Sequence, residues 1–546
     1  MSNVLNGGDV LVQVLRENGC EVAFGIVSVH NLPLVEAVDR DLRFVTVRHE
    51  AAAVNAADAY SRATGKLGCA ITSTGTGAGN AAGSMVEALS AGSRVLHVTG
   101  NIDRGYLGQA RGVIHETKDQ LGMLRAVSKQ ALQILSADAA PCIIRAAAAE
   151  AQTLPAGPVS VEWPIDLQYA GHTLPATGPV AGTELPVAGD DEIARAAALL
   201  GGARRPAIWV GGGGRGARAE LRVLAERLGA AVFTSNAGRG TVPEDHDLVI
   251  GNFAASPAGQ ELLQDADVLL SVGTHFRSNE TKSYKLVLPG RHVQVDLDKA
   301  ALGRSYPVTL GLRGEAVTTL AALTAVLPDA SATETGWRER VAETRRIVRE
   351  KLVENIGQYA VICASLRDRL APGSPIARDV TIPSSQWGNR LLPILDPRTN
   401  IFPLGGGIGQ GLAMGIGASL ARPDVPTLVI AGDGGLAVHL GELLTLAQEQ
   451  PWLVLVVFND GGYGVLRNMQ DQYMSRRSGV DLFTPDFGAL AQAVGVPYAR
   501  VTSADGFDAA FAAAVAVRGP AIVEVDVTAV GPTPVPFTPP VSIPGH

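Results

Sequence analysis

Two short stretches of the 546-residue chain place carboxylates among glycines. Gly432-Asp433-Gly434-Gly435 follows the apolar run Thr427-Leu428-Val429-Ile430-Ala431, and Asn459-Asp460-Gly461-Gly462 follows a second run, Leu453 to Phe458. Apolar runs of this length read as buried strands, so Asp433 and Asp460 arrive at two strand carboxyl ends, where open parallel sheets collect ligands. The Gly462 carbonyl could add a third oxygen. Oxygen-only donors suit a hard cation, and Mg²⁺ characteristically takes one or two carboxylates together with phosphate oxygens. Glycines let the backbone come close to such a phosphate. Each stretch is equally an ordinary strand-ending turn, and taken singly neither decides the matter.

A third acid stands at another strand end. Phe44-Val45-Thr46-Val47-Arg48-His49-Glu50 runs straight into the helical stretch Ala51 to Thr64. Glu50 in a first helical turn would complement the helix dipole, and it could equally do general acid–base work. Ser73-Thr74-Gly75-Thr76-Gly77-Ala78-Gly79-Asn80 follows the strand Ala70-Ile71-Thr72, and Gly405-Gly406-Gly407-Ile408-Gly409-Gln410-Gly411-Leu412 is a matching loop later in the chain. Two histidines complete the set: His30, in the loop after Phe24-Gly25, and His115, in Ile114-His115-Glu116-Thr117-Lys118-Asp119-Gln120. A neutral imidazole can pass protons to and from a carbonyl or hydroxyl, although a lone histidine is more often structural.

The elements that must position these residues are strands alternating with helices, which implies parallel sheets and an α/β fold. Composition shifts divide the chain into three blocks of doubly wound type. A Pro-, Thr- and Gly-rich linker spans about Ala170 to Gly189. The second block opens at Arg205-Pro206-Ala207-Ile208-Trp209-Val210 and closes near Leu327-Pro328. A charged helix over Trp337 to Glu354 leads into the third, which ends in a Pro-rich tail, Pro532 to Pro544. In that third block the Gly432–Gly435 turn is expected to be followed by a helix from about Val438 to Glu449. The first and third blocks both carry a strand, a Gly-rich turn and an Ala-rich helix in sequence, so they could share a fold.

Composition excludes several classes. Hydrophobic residues make up 46% and charged residues 18%, which is globular rather than disordered. The 63 glycines and 32 prolines are not periodic, so a collagen-like chain is excluded. With 45 Lys+Arg against 53 Asp+Glu the net charge is −8, and no basic run invites nucleic acid or an anionic membrane. Cys20, Cys69, Cys142 and Cys363 are scattered, with no zinc or disulfide pattern. Met1-Ser2-Asn3-Val4 lacks the flank of a signal peptide, and the apolar runs are too short to span a bilayer, so a reduced, cytoplasmic protein is expected.

Gly432-Asp433-Gly434 answered by Asn459-Asp460 resembles the thiamin-diphosphate signature, in which the second motif is usually Asn-Asn. Asp460 keeps an oxygen donor and adds a charge. Over essentially its full length the chain resembles the family of acetohydroxyacid synthases, benzoylformate decarboxylases and benzaldehyde lyases. That resemblance implies a pyrimidine-binding domain over 1–170, a central Rossmann-like domain over 190–330 and a diphosphate-binding domain over 355–546, with thiamin diphosphate and Mg²⁺ as cofactors. It implies that Glu50 hydrogen-bonds the pyrimidine N1′ and promotes the imino tautomer that removes the thiazolium C2 proton. Gly75 and Asn80 would lie against the aminopyrimidine, and Ile408, beside Gly406, would wedge under the cofactor to hold it bent. Ser384, Ser385 and Gln386 would meet the diphosphate, as would Gly432, Gly434, Gly435 and Tyr463. Asp433, Asp460 and the Gly462 carbonyl would hold the metal.

For substrate chemistry the resemblance is narrower. His30 matches a histidine of benzaldehyde lyase and cyclohexane-dione hydrolase, and His115 stands where relatives carry Gln. Val29, Leu466 and Met469 are expected to wall the pocket, with core packing an equal reading for the last two. The Gly-rich turn Gly211–Gly216 invites a nucleotide, but Gly273-Thr274-His275-Phe276-Arg277-Ser278 departs from the segment of flavin-bearing synthases, so no flavin is expected. The implied activity is an acetolactate-synthase-like carboligase or lyase acting on 2-oxo acids or 2-hydroxy ketones through a carbanion and enamine. The alternatives are a simple 2-oxo acid decarboxylase and a flavin-dependent oxidase of the pyruvate oxidase type. The Val29-His30 pair and the absence of a histidine at Ser73, where benzoylformate decarboxylase has one, favour the first. Small-molecule substrates and a homodimer or homotetramer are implied, with Glu50 and Asp433 meeting from different subunits.

Overall fold

The computed structural model describes residues 5–173, 185–328, 332–541 and 543. Within them lie three six-stranded sheets in which every strand pairing is parallel. Parallel sheets bury both faces, which is why their strands read as unbroken apolar runs. Thr427–Gly432 is buried throughout, and Leu453–Asn459 up to its last residue.

The first sheet runs, in spatial order, Arg43–Thr46, Val22–Gly25, Gly68–Thr72, Val95–Asn101, Val159–Pro164, Gln130–Gln133. The third runs Asn400–Ile401, Ile376–Arg378, Thr427–Gly432, Leu453–Asn459, Ala521–Asp526, Tyr498–Val501. Numbered along the chain, both orders are 2-1-3-4-6-5, so the first and third blocks do share a topology. The central sheet differs: Leu310–Arg313, Arg291–Asp296, Val268–Val272, Pro206–Val210, Ala231–Thr234, Val249–Gly251, the 6-5-4-1-2-3 order of dinucleotide-binding folds. The charged helix, Trp337–Ile356, buries Trp337, Val341, Val348 and Leu352 in an apolar cluster continuous from the central core into the third.

The Ala-rich stretch forms the helix Glu50–Thr64, which His49 caps at its start and Gly65 ends in the left-handed region at φ +77°. Its alanines let a second helix, Gly411–Ala421, come very close. A Cβ at Gly417 would stand 2.0 Å from the carbonyl oxygen of Ala56. Ala59 and Ala63 belong to the third core, and Ala413 reciprocally to the first. These two helices fuse the first and third units of the chain.

One element departs from expectation. Asp433 does not sit in a turn that precedes a Val438–Glu449 helix; it opens a helix directly off its strand, Asp433–Val438. That helix breaks at His439–Gly441 and resumes as Glu442–Glu449. The break has a local cause: the His439 backbone leaves the helical region (φ −127°, ψ 44°), and its ring is tied to the Gly409 carbonyl instead. Asp433 in the first turn complements the positive helix end.

Of the expected linker, residues 174–184 lie outside the described residues, as do Met1–Val4 and Pro544. On the near side of the linker the His172 ring is held between the carbonyls of Ala137 (2.9 Å) and Leu167 (2.8 Å). Among the described residues no helix is long and apolar enough to cross a membrane. The helix contact gives a direct test. Gly417→Val should lower the thermal midpoint by the equivalent of about 3 kcal/mol or more, since backbone must move. Gly83→Ala, where a Cβ meets nothing within 4 Å, should leave it unchanged or slightly raised.

Candidate functional site

The first cluster forms beyond the carboxyl ends of the first sheet. Glu50 is the first residue of its helix, and its Oε2 accepts a hydrogen bond from Asn80 Nδ2 at 3.0 Å. A Cβ on Gly77 would lie 3.1 Å from Glu50 Oε1, so the glycine loop closes on the carboxylate. Gly75, at φ +64°, leaves no room for a side chain, since a Cβ there would stand 2.2 Å from the His115 carbonyl oxygen. His115 itself adopts φ +66°, an uncommon conformation for a residue with a side chain. Its ring meets that of His30 edge-on, with centroids 5.3 Å apart.

His30 Nε2 lies 3.2 Å from the Ile114 carbonyl oxygen. A carbonyl only accepts, so in the neutral ring the proton sits on Nε2 and Nδ1 carries the lone pair. That Nδ1 is buried without a partner, as is His115 Nδ1. Burial holds His30 below the ordinary histidine value, the neighbouring His115 adds to this, and the Ile114 carbonyl opposes it. At neutral pH His30 is therefore an uncharged base.

The second cluster lies beyond the third sheet. Asp433 Oδ1 accepts the backbone N–H of Asp460 at 3.1 Å, while Asp433 Oδ2 and Asp460 Oδ1 are buried with no hydrogen-bond partner. Burial raises both carboxyls. Asp460, which also faces Asp433, is pushed up to about 6 against the pull of Arg467, whose Nη1 stands 3.9 Å away. A Cβ on Gly434 would meet the Gly462 carbonyl oxygen at 2.7 Å and the Tyr463 ring at 2.9 Å, so those residues close the same space. Gly432 packs against Thr381, and Gly435 against Asp379. Ser384, Ser385 and Gln386 form one wide helical turn, in which Ser384 Oγ and Gln386 Oε1 have no partner. Gly406 sits at φ +85° in open space, and Ile408 beside it is 38% exposed.

The pocket-wall residues Val29 and Leu466 are 58% and 48% exposed, and Met469 is half-buried on the same helix as Leu466. The Pro-rich tail runs past this helix: Gln386 Nε2 donates to the Val535 carbonyl and Asn468 Nδ2 to the Phe537 carbonyl, both at 3.0 Å. Among the described residues no hydrogen bond or ion pair joins Glu50, His30 or His115 to Asp433 or Asp460. The described residues thus form two clusters, with Val29, Ile408 and Leu466 exposed beside them.

Sequence reasoning missed three residues here. Asp379, buried at the end of strand Ile376–Arg378, accepts N–H bonds from Val380 (2.7 Å), Gly409 (3.0 Å) and Gly411 (3.2 Å), and burial pushes it up to about 6. An acid just past an apolar strand, as at Asp433, was its available signal. Gln120 accepts from the Gly75 N–H (2.7 Å) and the Thr74 hydroxyl (2.9 Å) and donates to the Gly100 carbonyl (3.2 Å). His439 holds the Gly409 carbonyl at 2.9 Å. Neither of these last two carries a sequence signal.

The central sheet's glycine turn borders a cavity of about 980 Å³ between the units, lined by Gly212, Gly213, Gly273 and by Arg62, Arg215 and Arg277.

Three parallel sheets in this order, with glycine loops and strand-end carboxylates at the outer two, define a three-domain α/β protein. The chain belongs to the thiamine pyrophosphate enzyme family. Its N-terminal TPP binding domain matches over residues 5–123, the central domain over 193–323 and the C-terminal TPP binding domain over 383–525. It is 32% identical over 500 residues to the probable 2-ketoarginine decarboxylase AruI of Pseudomonas aeruginosa, covering 90% of this chain and 88% of that one. It is also similar to the probable acetolactate synthase large subunit of Methanocaldococcus jannaschii (29% over 533 residues, 92% and 88% covered). The acetolactate synthase isozyme 2 large subunit of Escherichia coli is 27% identical over 541 residues, with 96% of each chain covered.

Gln120→Ala leaves the Gly75 N–H buried without an acceptor and the Thr74 hydroxyl with only the longer bond to Asn101 Oδ1 at 3.4 Å. Thermal denaturation of this variant should show a loss equivalent to about 1–3 kcal/mol.

Proposed function

We propose that the protein is a thiamin-diphosphate- and Mg²⁺-dependent enzyme that cleaves or forms a C–C bond next to the carbonyl of a 2-oxo acid or 2-hydroxy ketone. The observation that carries this reading is the His30–His115 pair, two rings 5.3 Å apart with unpartnered buried Nδ1 atoms, beside the Glu50 and Gly75 loop. The donor set also fits the cofactor. Two buried carboxylate oxygens with no protein partner, joined by the Gly462 carbonyl, suit one hard cation shared with a diphosphate. Ser384 and Gln386 add unpartnered polar atoms, and Gly406 leaves open space.

In this reading Asp433, Asp460 and the Gly462 carbonyl hold Mg²⁺. Gly432, Gly434, Gly435, Tyr463, Ser384, Ser385 and Gln386 meet the diphosphate. Ile408 would support the cofactor rings, and Glu50, steadied by Asn80, would bond the pyrimidine. Thiamin diphosphate, when bound, supplies a nucleophilic carbon and a sink for the electron pair freed when the C–C bond breaks. Glu50 would hold a proton against the pyrimidine ring. His30 and His115 take and return protons at the substrate oxygen, with His30 ready as a base because burial keeps it neutral. Val29, Leu466 and Met469 wall off the substrate from water.

The two half-sites of one chain expose Val29, Ile408 and Leu466, which supports a homodimer or homotetramer whose sites pair Glu50 of one subunit with Asp433 of another. The three domains are taken to span 1–170, 190–330 and 355–546. A carboligase or lyase is the leading form of the activity; simple decarboxylation is the alternative that the name of the Pseudomonas relative supports. A flavin-dependent oxidase is a second reading, favoured by one feature, the arginine-lined cavity of about 980 Å³ at the central glycine turn. Yellow purified protein would support it, and colourless protein would oppose it.

Turnover with a panel of 2-oxo acids and acyloins, followed by NMR for CO₂ and carbon products, tests the assignment. CO₂ with a new hydroxy ketone means a synthase, CO₂ with an aldehyde alone a decarboxylase, and acyloin cleavage without CO₂ a lyase. No turnover of any of these with cofactor present would refute the proposal. Glu50→Gln should cost about 10³-fold in kcat. Because the folded pKa of His30 is lowered, the uncharged base persists to more acid pH than a free imidazole. The acid limb of kcat/KM should therefore fall below about pH 6.5, and it should change in His30→Gln.

A further inference from the structure

His49 and His439 lie on opposite sides of the contact between the first and third units, with ring centroids 5.0 Å apart and planes inclined by 52°. Each ring has one nitrogen committed to backbone. His49 caps the Glu50 helix, its Nδ1 accepting the Ala51 N–H at 3.2 Å, so in the neutral ring its proton sits on Nε2. His439 Nδ1 stands 2.9 Å from the Gly409 carbonyl oxygen, which can only accept, so the His439 proton sits on Nδ1 and its Nε2 carries a lone pair. The two backbone bonds select opposite tautomers, and the tilted rings touch with no hydrogen bond between them among the described residues.

Both ends of this contact lead to the cofactor half-sites. The residue after His49 is Glu50. On the other side Gly409 directly follows Ile408 and sits at φ +81°, where a Cβ would come within 2.6 Å of Val438. Both polar groups of Gly409 are taken, its N–H by Asp379 Oδ1 at 3.0 Å and its carbonyl by His439. We propose that His439 and His49 are positioning residues, a pair of touching rings that sets the Gly405–Gly411 loop of one site against the start of the helix whose Glu50 serves the neighbouring site. The inference rests on the cofactor assignment above.

The surroundings decide what acid does to the pair. Arg48 and Glu50 flank His49 in sequence. From the third unit Glu442, buried, accepts the Arg48 N–H at 2.9 Å, and Asp379 lies behind Gly409. Burial and the facing His439 hold His49 below its ordinary value, while Glu50 works the other way. A proton added to His49 Nδ1 removes the acceptor of the helix cap and sets a cation against His439. Asparagine at 49 keeps a capping oxygen but cannot take that proton.

The test is the affinity of the full-length apo protein for thiamin diphosphate with Mg²⁺, read by tryptophan fluorescence or calorimetry at pH 7.5 and 5.5. His439→Ala should weaken binding about tenfold at pH 7.5, the scale of one lost hydrogen bond, and His439→Gln should recover part of it. Wild type should lose more affinity than His49→Asn on going to pH 5.5. Wild-type affinity in His439→Ala, together with equal pH dependence in His49→Asn, would overturn the positioning role while leaving the cofactor assignment intact. Absence of binding by wild type would overturn both.

Discussion

The close approach of the Glu50–Thr64 and Gly411–Ala421 helices is the constraint on which the rest of the structure depends. A glycine stands where a Cβ would meet the Ala56 carbonyl oxygen at 2.0 Å, and the facing helix is built from alanines. Each helix begins at one of the two clusters: one at Glu50, the other at Gly411, the end of the Gly405–Gly411 loop. Their packing fixes these two beginnings relative to each other. Further along the same helix, Arg62 donates to the Phe402 carbonyl (2.7 Å) and pairs with buried Asp58 and Glu87. Glu87 in turn accepts the N–H groups of Leu404 (2.5 Å) and Gly405 (2.6 Å). The glycine loop is thus held at its start by the first unit's charges and near its end by His439.

Buried polar atoms without partners are costly; they occur in all three units, and six of them lie on residues of the two candidate clusters. Asp433 Oδ2, Asp460 Oδ1, Ser384 Oγ and Gln386 Oε1 lie in the third unit's cluster, and His30 Nδ1 and His115 Nδ1 in the first. Asp460 sharpens the point. Burial and the facing Asp433 both raise its carboxyl, against the pull of Arg467.

Much of this was legible in the sequence for a physical reason. Parallel strands buried on both faces must be apolar throughout, so Thr427–Gly432 and Leu453–Asn459 announce themselves, and the acids that end them stand out. The three sheets, the helix at Glu50 and the gathering of Glu50, Gly75, Asn80, His30 and His115 all follow from strand ends and glycine loops. What was hidden depends on tertiary contact. The helix at Asp433 starts directly off its strand, through Gly434 and Gly435, whose low helix propensity hides it from a local reading. Gln120 and His439 act through single bonds to backbone of distant segments, which no local period encodes. Nor does any local pattern show the Pro-rich tail held by Gln386 and Asn468.

The central claim is that a complete site needs Glu50 from one subunit and Asp433 from another. Mixing, unfolding and refolding together the two inactive variants Glu50→Gln and Asp433→Asn tests it most directly. In a mixed dimer one site then collects both substitutions and the other collects neither, so activity should return to about a quarter of wild type for an equimolar mixture. If the mixture stays as inactive as its parents while each variant still forms dimers, the shared site is contradicted, and each chain must build its site alone.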